Sequence, residues 1–185
     1  MNFKINKGYL ISDEFLKIGV EDFYGACLFV SSLDYKRNKN KTDISCIFYD
    51  NGGTCSTKHA VLRKLAIENG REEIKLMLGI FKMDANYALR IKEVLEKNKL
   101  NYIPEAHNYL KINDNCLDFT LENSDYSEVK NRLVFEIEIE YNQINDYKIN
   151  IHKNFLKEWI KAEGLDYSLD EVWKIREECI QALQD

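Results

Sequence analysis

Apolar residues in VEDFYGACLFVSSL (20–33) fall at 23, 26, 27, 30 and 33, a spacing that gathers them on one face of a helix. Gly25 weakens that helix slightly and permits close packing. The polar run 34–43 reads as a loop, and ISCIFYD (44–50) is too short to assign from its pattern. Helical spacing returns from Cys55 to about Asn69. Val61, Leu62, Leu65 and Ala66 form its stripe, Thr54 stands at the cap position, and Asn69-Gly70 supplies the stop. IKLMLGIF (74–81) is apolar on both parities except at Lys75 and Gly79, which predicts a strand buried on both faces.

ANYALRIKEVLEKNKL (85–100) reads as a surface helix. The segment 105–122 alternates over 105–112, turns at Asn-Asp-Asn (113–115) and alternates again, the signature of a hairpin. LVFEIEIEY (133–141) is a half-exposed strand with Val134 out of register. Two helices close the chain, 151–164 and 168–184, the second opening with a Ser168–Glu171 capping box. Helices, then antiparallel strands, then helices predict an α+β fold with a small antiparallel sheet and packed helices.

A chain of 185 residues is read as one domain, 1–185, long enough for a substantial core. With 45% hydrophobic and 31% charged residues and a single proline, it is expected to fold. Apolar runs such as ACLFV (26–30) are far shorter than a bilayer span, and the start lacks a signal-peptide core. A cytoplasmic location with no membrane partner is the expectation. The formal charge of −5 comes from acidic and basic groups spread along the chain and makes no case for a nucleic-acid partner. The one local basic cluster, YKRNKNK (35–41), reads as a solvated loop or a phosphate-binding patch. Five cysteines (27, 46, 55, 116, 179) with no CxxC argue for free thiols over disulfides or a thiolate zinc site.

One of those thiols sits in an unusual place. In NGGTCSTKHAVL, Cys55 opens a helix directly after Gly52, Gly53 and Thr54. A thiol of ordinary pKa, about 8.5, needs help to become a nucleophile at neutral pH. A helix N-terminus supplies it through its dipole and unpaired N–H groups, which also suit an oxyanion. The glycines allow a sharp turn and leave space above the sulfur. The plainer reading is a turn, a cap and a buried thiol.

Three histidines compete as its base. His59 lies one turn along the same helix face, and His152 reads as surface or cap. His107 begins a strand whose hairpin partner carries Asp118. A two-residue turn at 113–114 or 114–115 puts His107 and Asp118 on one face, whereas a three-residue turn separates them unless a bulge intervenes. Asp118, flanked by Leu117 and Phe119, needs a partner in any apolar setting. Cys55 as nucleophile, His107 as base and Asp118 as orienter make a coherent set. A cysteine-dependent acyl-transfer enzyme is the leading expectation. A His–Asp pair that merely ties the hairpin, a binding or interaction protein on a retired enzyme scaffold, and a zinc site from Cys55, His59, His107 and Asp118 are the alternatives.

Cysteine in a helix, histidine on a strand and aspartate on the next strand resembles the transglutaminase-like superfamily, within the papain-like cysteine-enzyme fold. The likeness is nearer to a small, poorly characterised bacterial family. It is carried by YKRN (35–38), GGTCSTKHAVL (52–62), PEAHNYL (104–110), LDFT (117–120) and WKIREECIQAL (173–183), which together span nearly the whole chain. The resemblance implies Cys55, His107 and Asp118 as the triad positions. No cofactor is expected, and the expected partner is a peptide, amide or other small acyl substrate that fold and triad do not identify. The resemblance also draws attention to Asn38, whose amide can serve as an oxyanion donor. From the residues themselves, Arg37 suits a carboxylate or developing charge, His59 a packed or substrate-lining place, and Lys58 either the support of a thiolate or solvent. Solvated loop residues are the plain reading of Asn38 and Arg37. Two departures stand out: Lys36 replaces the family's usual glycine, and Asn108 replaces the aromatic residue that often follows the histidine. The second bears on the acyl acceptor and on protein crosslinking. Members of the superfamily include transferases, proteases, amidases and inactive descendants.

Overall fold

A computed structural model of the chain describes residues 2–184. In chain order the elements begin α1 (Leu10–Lys17), α2 (Phe23–Ser32), β1 (Asp34–Tyr35), α3 (Cys46–Asp50), β2 (Gly52–Gly53), α4 (Cys55–Glu68) and β3 (Ile74–Asp84). They continue α5 (Lys92–Lys97), β4 (Tyr102–Ile112), β5 (Asn115–Leu117), α6 (Tyr126–Lys130), β6 (Leu133–Ile139), α7 (Asp146–Ala162) and α8 (Leu169–Gln184). The result is a mixed α+β fold with an antiparallel sheet and packed helices. The sheet has the order β5-β4-β3-β6, and β1 pairs with β2 in a separate two-stranded parallel ribbon. Two compact units are assembled from interleaved segments. One takes the chain up to Leu78 with His107–Tyr126 and Glu136–Asn145; the other takes Gly79–Ala106, Ser127–Phe135 and the segment from Asp146 onward.

In the first unit α4 packs on α1 and α2. Its predicted stripe, Val61, Leu62, Leu65 and Ala66, is fully buried. Burial extends well beyond the stripe, because Cys55 through Arg63 are all buried too. The helix is therefore enclosed on every side along its first half, where the sequence had indicated one inward face. Its last residue ties the unit together: the Glu68 carboxylate accepts the N–H groups of Ile11 and Ser12 at 2.8–3.2 Å, satisfying the exposed start of α1. Asp22 does the same for α2, accepting the Gly25 N–H at 2.8 Å. Residues 76–81 of β3 are buried on both parities, as the continuous apolar run predicts.

The hairpin turns at Asn113-Asp114. Ile112 pairs with Asn115, Lys111 with Cys116 and Leu110 with Leu117, antiparallel, and Asn113 takes the left-handed conformation (φ 53°). This is one of the two turns that keep His107 and Asp118 on one face. The unassigned ISCIFYD contains the short helix α3. The expected helix over 85–100 is shorter, because Asp84 claims the Tyr87 N–H with its side chain (2.7 Å) and holds the chain in a turn. Helical structure starts only at a 3-10 turn over Leu89–Ile91.

In the second unit α8 packs on α5 and α7 and opens with the expected capping box, Ser168 and Glu171 exchanging hydrogen bonds. α7 starts earlier than its apolar pattern indicated. His152 is neither surface nor cap: it is buried inside α7 and donates from Nε2 to the Pro104 carbonyl at 2.8 Å. Beside it, Glu105, only 7% exposed, receives a two-pronged bond from Arg176 at 2.5 and 2.6 Å. The Trp173 ring lies 5.2 Å from the Arg176 guanidinium and 5.3 Å from the His152 ring. Changing Arg176 to Ala strands the buried carboxylate and should lower unfolding free energy by about 3–5 kcal/mol. Urea denaturation checks this; a loss within error of zero would show that Glu105 tolerates isolation.

Candidate active site

Close packing builds the approach to Cys55. β1 and β2 run in parallel with Asp34 beside Gly52 and Tyr35 beside Gly53, and the Lys36 N–H reaches the Gly53 carbonyl at 3.2 Å. A Cβ on Gly52 would lie 2.9 Å from the Asp34 carbonyl oxygen and 2.4 Å from the Lys36 stem. One on Gly53 would lie 2.6 Å from the Thr57 hydroxyl and 3.1 Å from Ile47. Neither glycine adopts positive φ. They are required because another chain segment passes against them, and not because of the sharp turn expected from the sequence.

Asn38 pins the same stretch. Its amide donates to the Gly52 carbonyl at 2.8 Å and to Asp50 at 3.0 Å, and its oxygen accepts the Thr57 hydroxyl at 2.7 Å. Thr57 in turn accepts the Thr54 N–H at 3.1 Å. Both amide hydrogens of Asn38 are thus committed to the protein, and its side chain shapes the loop before Cys55 instead of pointing a donor at a substrate. Arg37 lies exposed in the preceding loop.

Cys55 begins α4 and is 7% exposed. The His107 and Asp118 side chains, 12% and 6% exposed, are joined by a 2.7 Å bond in which Nε2 donates to Oδ2. β5 ends at Leu117, so Asp118 leaves the ladder and reaches back along the face that His107 shares. Its other oxygen accepts both the N–H and the hydroxyl of Thr120, at 2.9 and 2.5 Å. Thr120 was not among the residues singled out from the sequence; Asp-x-Thr after a strand is the local turn pattern that signals it. Nε2 is committed to the carboxylate, and the Cys55 side chain also acts on the ring through its charge and a hydrogen bond.

The electrostatics follow from this packing. Burial alone would lower the His107 pKa, but the charges of Cys55 and Asp118, and hydrogen bonds to both, raise it to about 10. Burial would push the Asp118 carboxyl up; the charge and hydrogen bond of His107, then His59 and Thr120, hold it well below the usual carboxylate range. The protonated ring and ionised carboxylate are the paired forms at neutral pH.

His59 and Lys58 are fully buried, so neither meets solvent. The Lys58 ammonium donates to the Leu33 and Thr120 carbonyls at 2.5 and 2.6 Å. Burial brings its pKa down to about 8 despite the opposing pull of Asp34, Asp118 and Cys55. His59 bonds the Cys55 carbonyl through Nδ1 and the Phe119 N–H through Nε2, each at 2.8 Å. Ser56 donates to buried Asn108 at 3.0 Å, and Asn108 donates to the Met77 carbonyl at 2.9 Å. This accounts for asparagine after His107: the position is an internal polar joint. A shallow cavity of about 450 Å³ is lined by Leu33, Asp34, Tyr35 and the segment 121–124.

Among the described residues no group of three or more His, Cys, Asp and Glu side chains is arranged to hold a metal ion, and no helix is long and apolar enough to cross a membrane. Neither family models, curated proteins nor solved structures match the chain.

Two outcomes follow from the geometry. Gly53→Ala should destabilise the protein by about 1–3 kcal/mol through overpacking, read as a lower urea midpoint; an unchanged midpoint means that Thr57 and Ile47 give way freely. His107, followed by its ring proton resonances, should titrate near 10 and move down in Cys55→Ala, where the charge and hydrogen bond of Cys55 are lost. Its contribution to stability is full below an ordinary histidine pKa of about 6.5 and fades as pH rises through the folded value. A midpoint unmoved by Cys55→Ala would show that Asp118 alone sets it.

Proposed function

We propose that the protein is a cysteine-dependent acyl-transfer enzyme acting on an amide or ester carbonyl, with Cys55, His107 and Asp118 in the three central roles. The observation that carries this reading is the His107 ring, bonded to buried Asp118 through Nε2 and coupled to Cys55 at the start of α4. The same order of residues supports the likeness to transglutaminase-like and papain-like enzymes. In this reaction the Cys55 sulfur attacks the carbonyl carbon, and the oxyanion forms against N–H groups at the first turn of α4. His107 gives its proton to the departing amine or alcohol, leaving a thioester on Cys55. Water or an amine then attacks the thioester, His107 takes the proton from that nucleophile, and the sulfur leaves as thiolate. Asp118 keeps the ring oriented and supports its charge. Hydrolysis is the simpler outcome, because it needs no pocket for a second substrate.

The other thiols make a clean test. Burial raises the Cys46 and Cys179 pKa values to about 11 and pushes Cys27 higher still. Iodoacetamide near pH 6 should therefore alkylate Cys55 first, with Cys116, half-buried, removed as a competitor by Cys116→Ser. Equal labelling of several thiols, or an inert Cys55 in the folded protein, overturns the proposal. Once an electrophile screen over peptides, amides and amines yields a substrate, Cys55→Ala should abolish turnover. His107→Ala should lower kcat by roughly two to four orders of magnitude. kcat/KM should fall on the alkaline side as His107 loses its proton near its folded pKa of about 10.

A further inference from the structure

We propose that His59 is a positioning residue for this site, a neutral imidazole that locks the backbone of Cys55 to the backbone beside Asp118. The inference rests on the function proposed above and assigns a role that the reaction scheme leaves empty. His59 sits in the middle of a chemical line, Cys55–His59–Phe119, that runs from the nucleophile's own carbonyl to the residue following the carboxylate.

The direction of each hydrogen bond fixes the state of the ring. The Phe119 N–H is a donor only, so Nε2 must present its lone pair. The Cys55 carbonyl is an acceptor only, so Nδ1 must carry the proton. One neutral tautomer meets both demands. It also leaves no lone pair to accept a substrate proton and no face open to solvent, so His59 is neither base nor substrate contact.

The groups around the ring show why its neutrality matters. Cys55 and Lys58 face it from its own helix, His107 from β4 and Asp118 from the segment after β5. Asp118 Oδ1 lies 3.5 Å from Nε2, where the two atoms now meet as acceptors, while Oδ1 is bonded to Thr120. A proton on Nε2 would turn that approach into an ion pair and set an N–H against the Phe119 N–H. His59 would then compete with His107, whose ring is 6.3 Å away and edge-on, for the one carboxylate. Burial holds the His59 pKa at about 4 against the pull of Asp118, with His107 and Lys58 adding to the depression. The carboxylate is thereby reserved for His107.

The test uses the whole chain and two readouts. In the native protein, nitrogen NMR of the imidazoles should show His59 as the neutral Nδ1–H tautomer between about pH 5 and 9; an imidazolium or the Nε2–H form in that range overturns the proposal. The second readout is the pH profile of Cys55 alkylation by iodoacetamide. His59→Leu keeps bulk but removes both bonds, and its Cys55 should lose reactivity near pH 6 by roughly tenfold or more, drifting toward an ordinary thiol profile. His59→Gln places an amide oxygen near the Nε2 position, retains an acceptor for Phe119, and should recover most of the native profile even if His59→Leu folds poorly. A native profile in His59→Leu, or no recovery in folded His59→Gln, overturns the role of His59 alone. An ordinary thiol profile in the native protein overturns the reading of Cys55 as nucleophile, and the positioning role falls with it.

Discussion

The first turn and a half of α4 is polar and buried, a combination that is costly unless every group finds a partner. Five consecutive residues, Cys55 to His59, each reach a different part of the first unit. Cys55 couples to His107, Ser56 to Asn108, Thr57 to Asn38, Lys58 to Leu33 and Thr120, and His59 to Phe119. Because the helix places these side chains around its whole circumference, the demand for satisfaction draws the loop after β1, strand β4 and the segment after β5 in from different sides. Losing any one partner would strand a polar group in the interior. That requirement gives the turn a unique setting, which a greasy helix start would not have.

Charge is distributed with the same economy. Asp118 lies against both His59 and His107, and its two oxygens are divided between His107 and Thr120. Its negative charge and hydrogen bond, with those of Cys55, support the charged form of His107, whereas burial keeps the His59 ring neutral between two backbone partners. Two histidines a few ångströms apart thus occupy opposite protonation states at neutral pH. Burial and hydrogen-bond direction separate them, not residue type. Lys58 bridges carbonyls from the two segments that flank the shallow cavity, so a buried cation adds positive potential without entering the pair.

Much of the scaffold was legible in the pattern of the chain. The helix at 20–33, the doubly buried strand at 74–81, the α8 capping box and the hairpin all rest on local periodicity or on side chains a few residues apart. Hairpin parity is the most informative case: a two-residue turn at Asn113-Asp114 sets the register in which His107 and Asp118 share a parity, and the Asp118 carboxylate then meets His107 from just beyond the end of β5. Other segments were less legible because their signals compete. Asp84 diverts the start of the helix after β3 into a turn, and α3 is too short to show a period. His152 looked like a surface residue because its partner, the Pro104 carbonyl, is 48 positions away.

By itself, the sequence determined which residue types could perform cysteine chemistry and which strand register would align two of them. Spacing along a helix or hairpin is a local property, and it carried Cys55, His107 and Asp118 into consideration together. Only the tertiary structure decided the roles of their neighbours. Asn38 and Arg37 adjoin in one polar loop, yet Asn38 spends both amide hydrogens on Asp50 and Gly52 while Arg37 remains exposed. Lys58 and His59 stand four and three residues before Leu62, at the spacing of the apolar stripe, and both are fully buried. Spacing gives the face and not the partners, because the partners of a buried polar group depend on which distant segments close over the helix, and hydrogen-bond direction depends on whether those segments arrive with an N–H or a carbonyl.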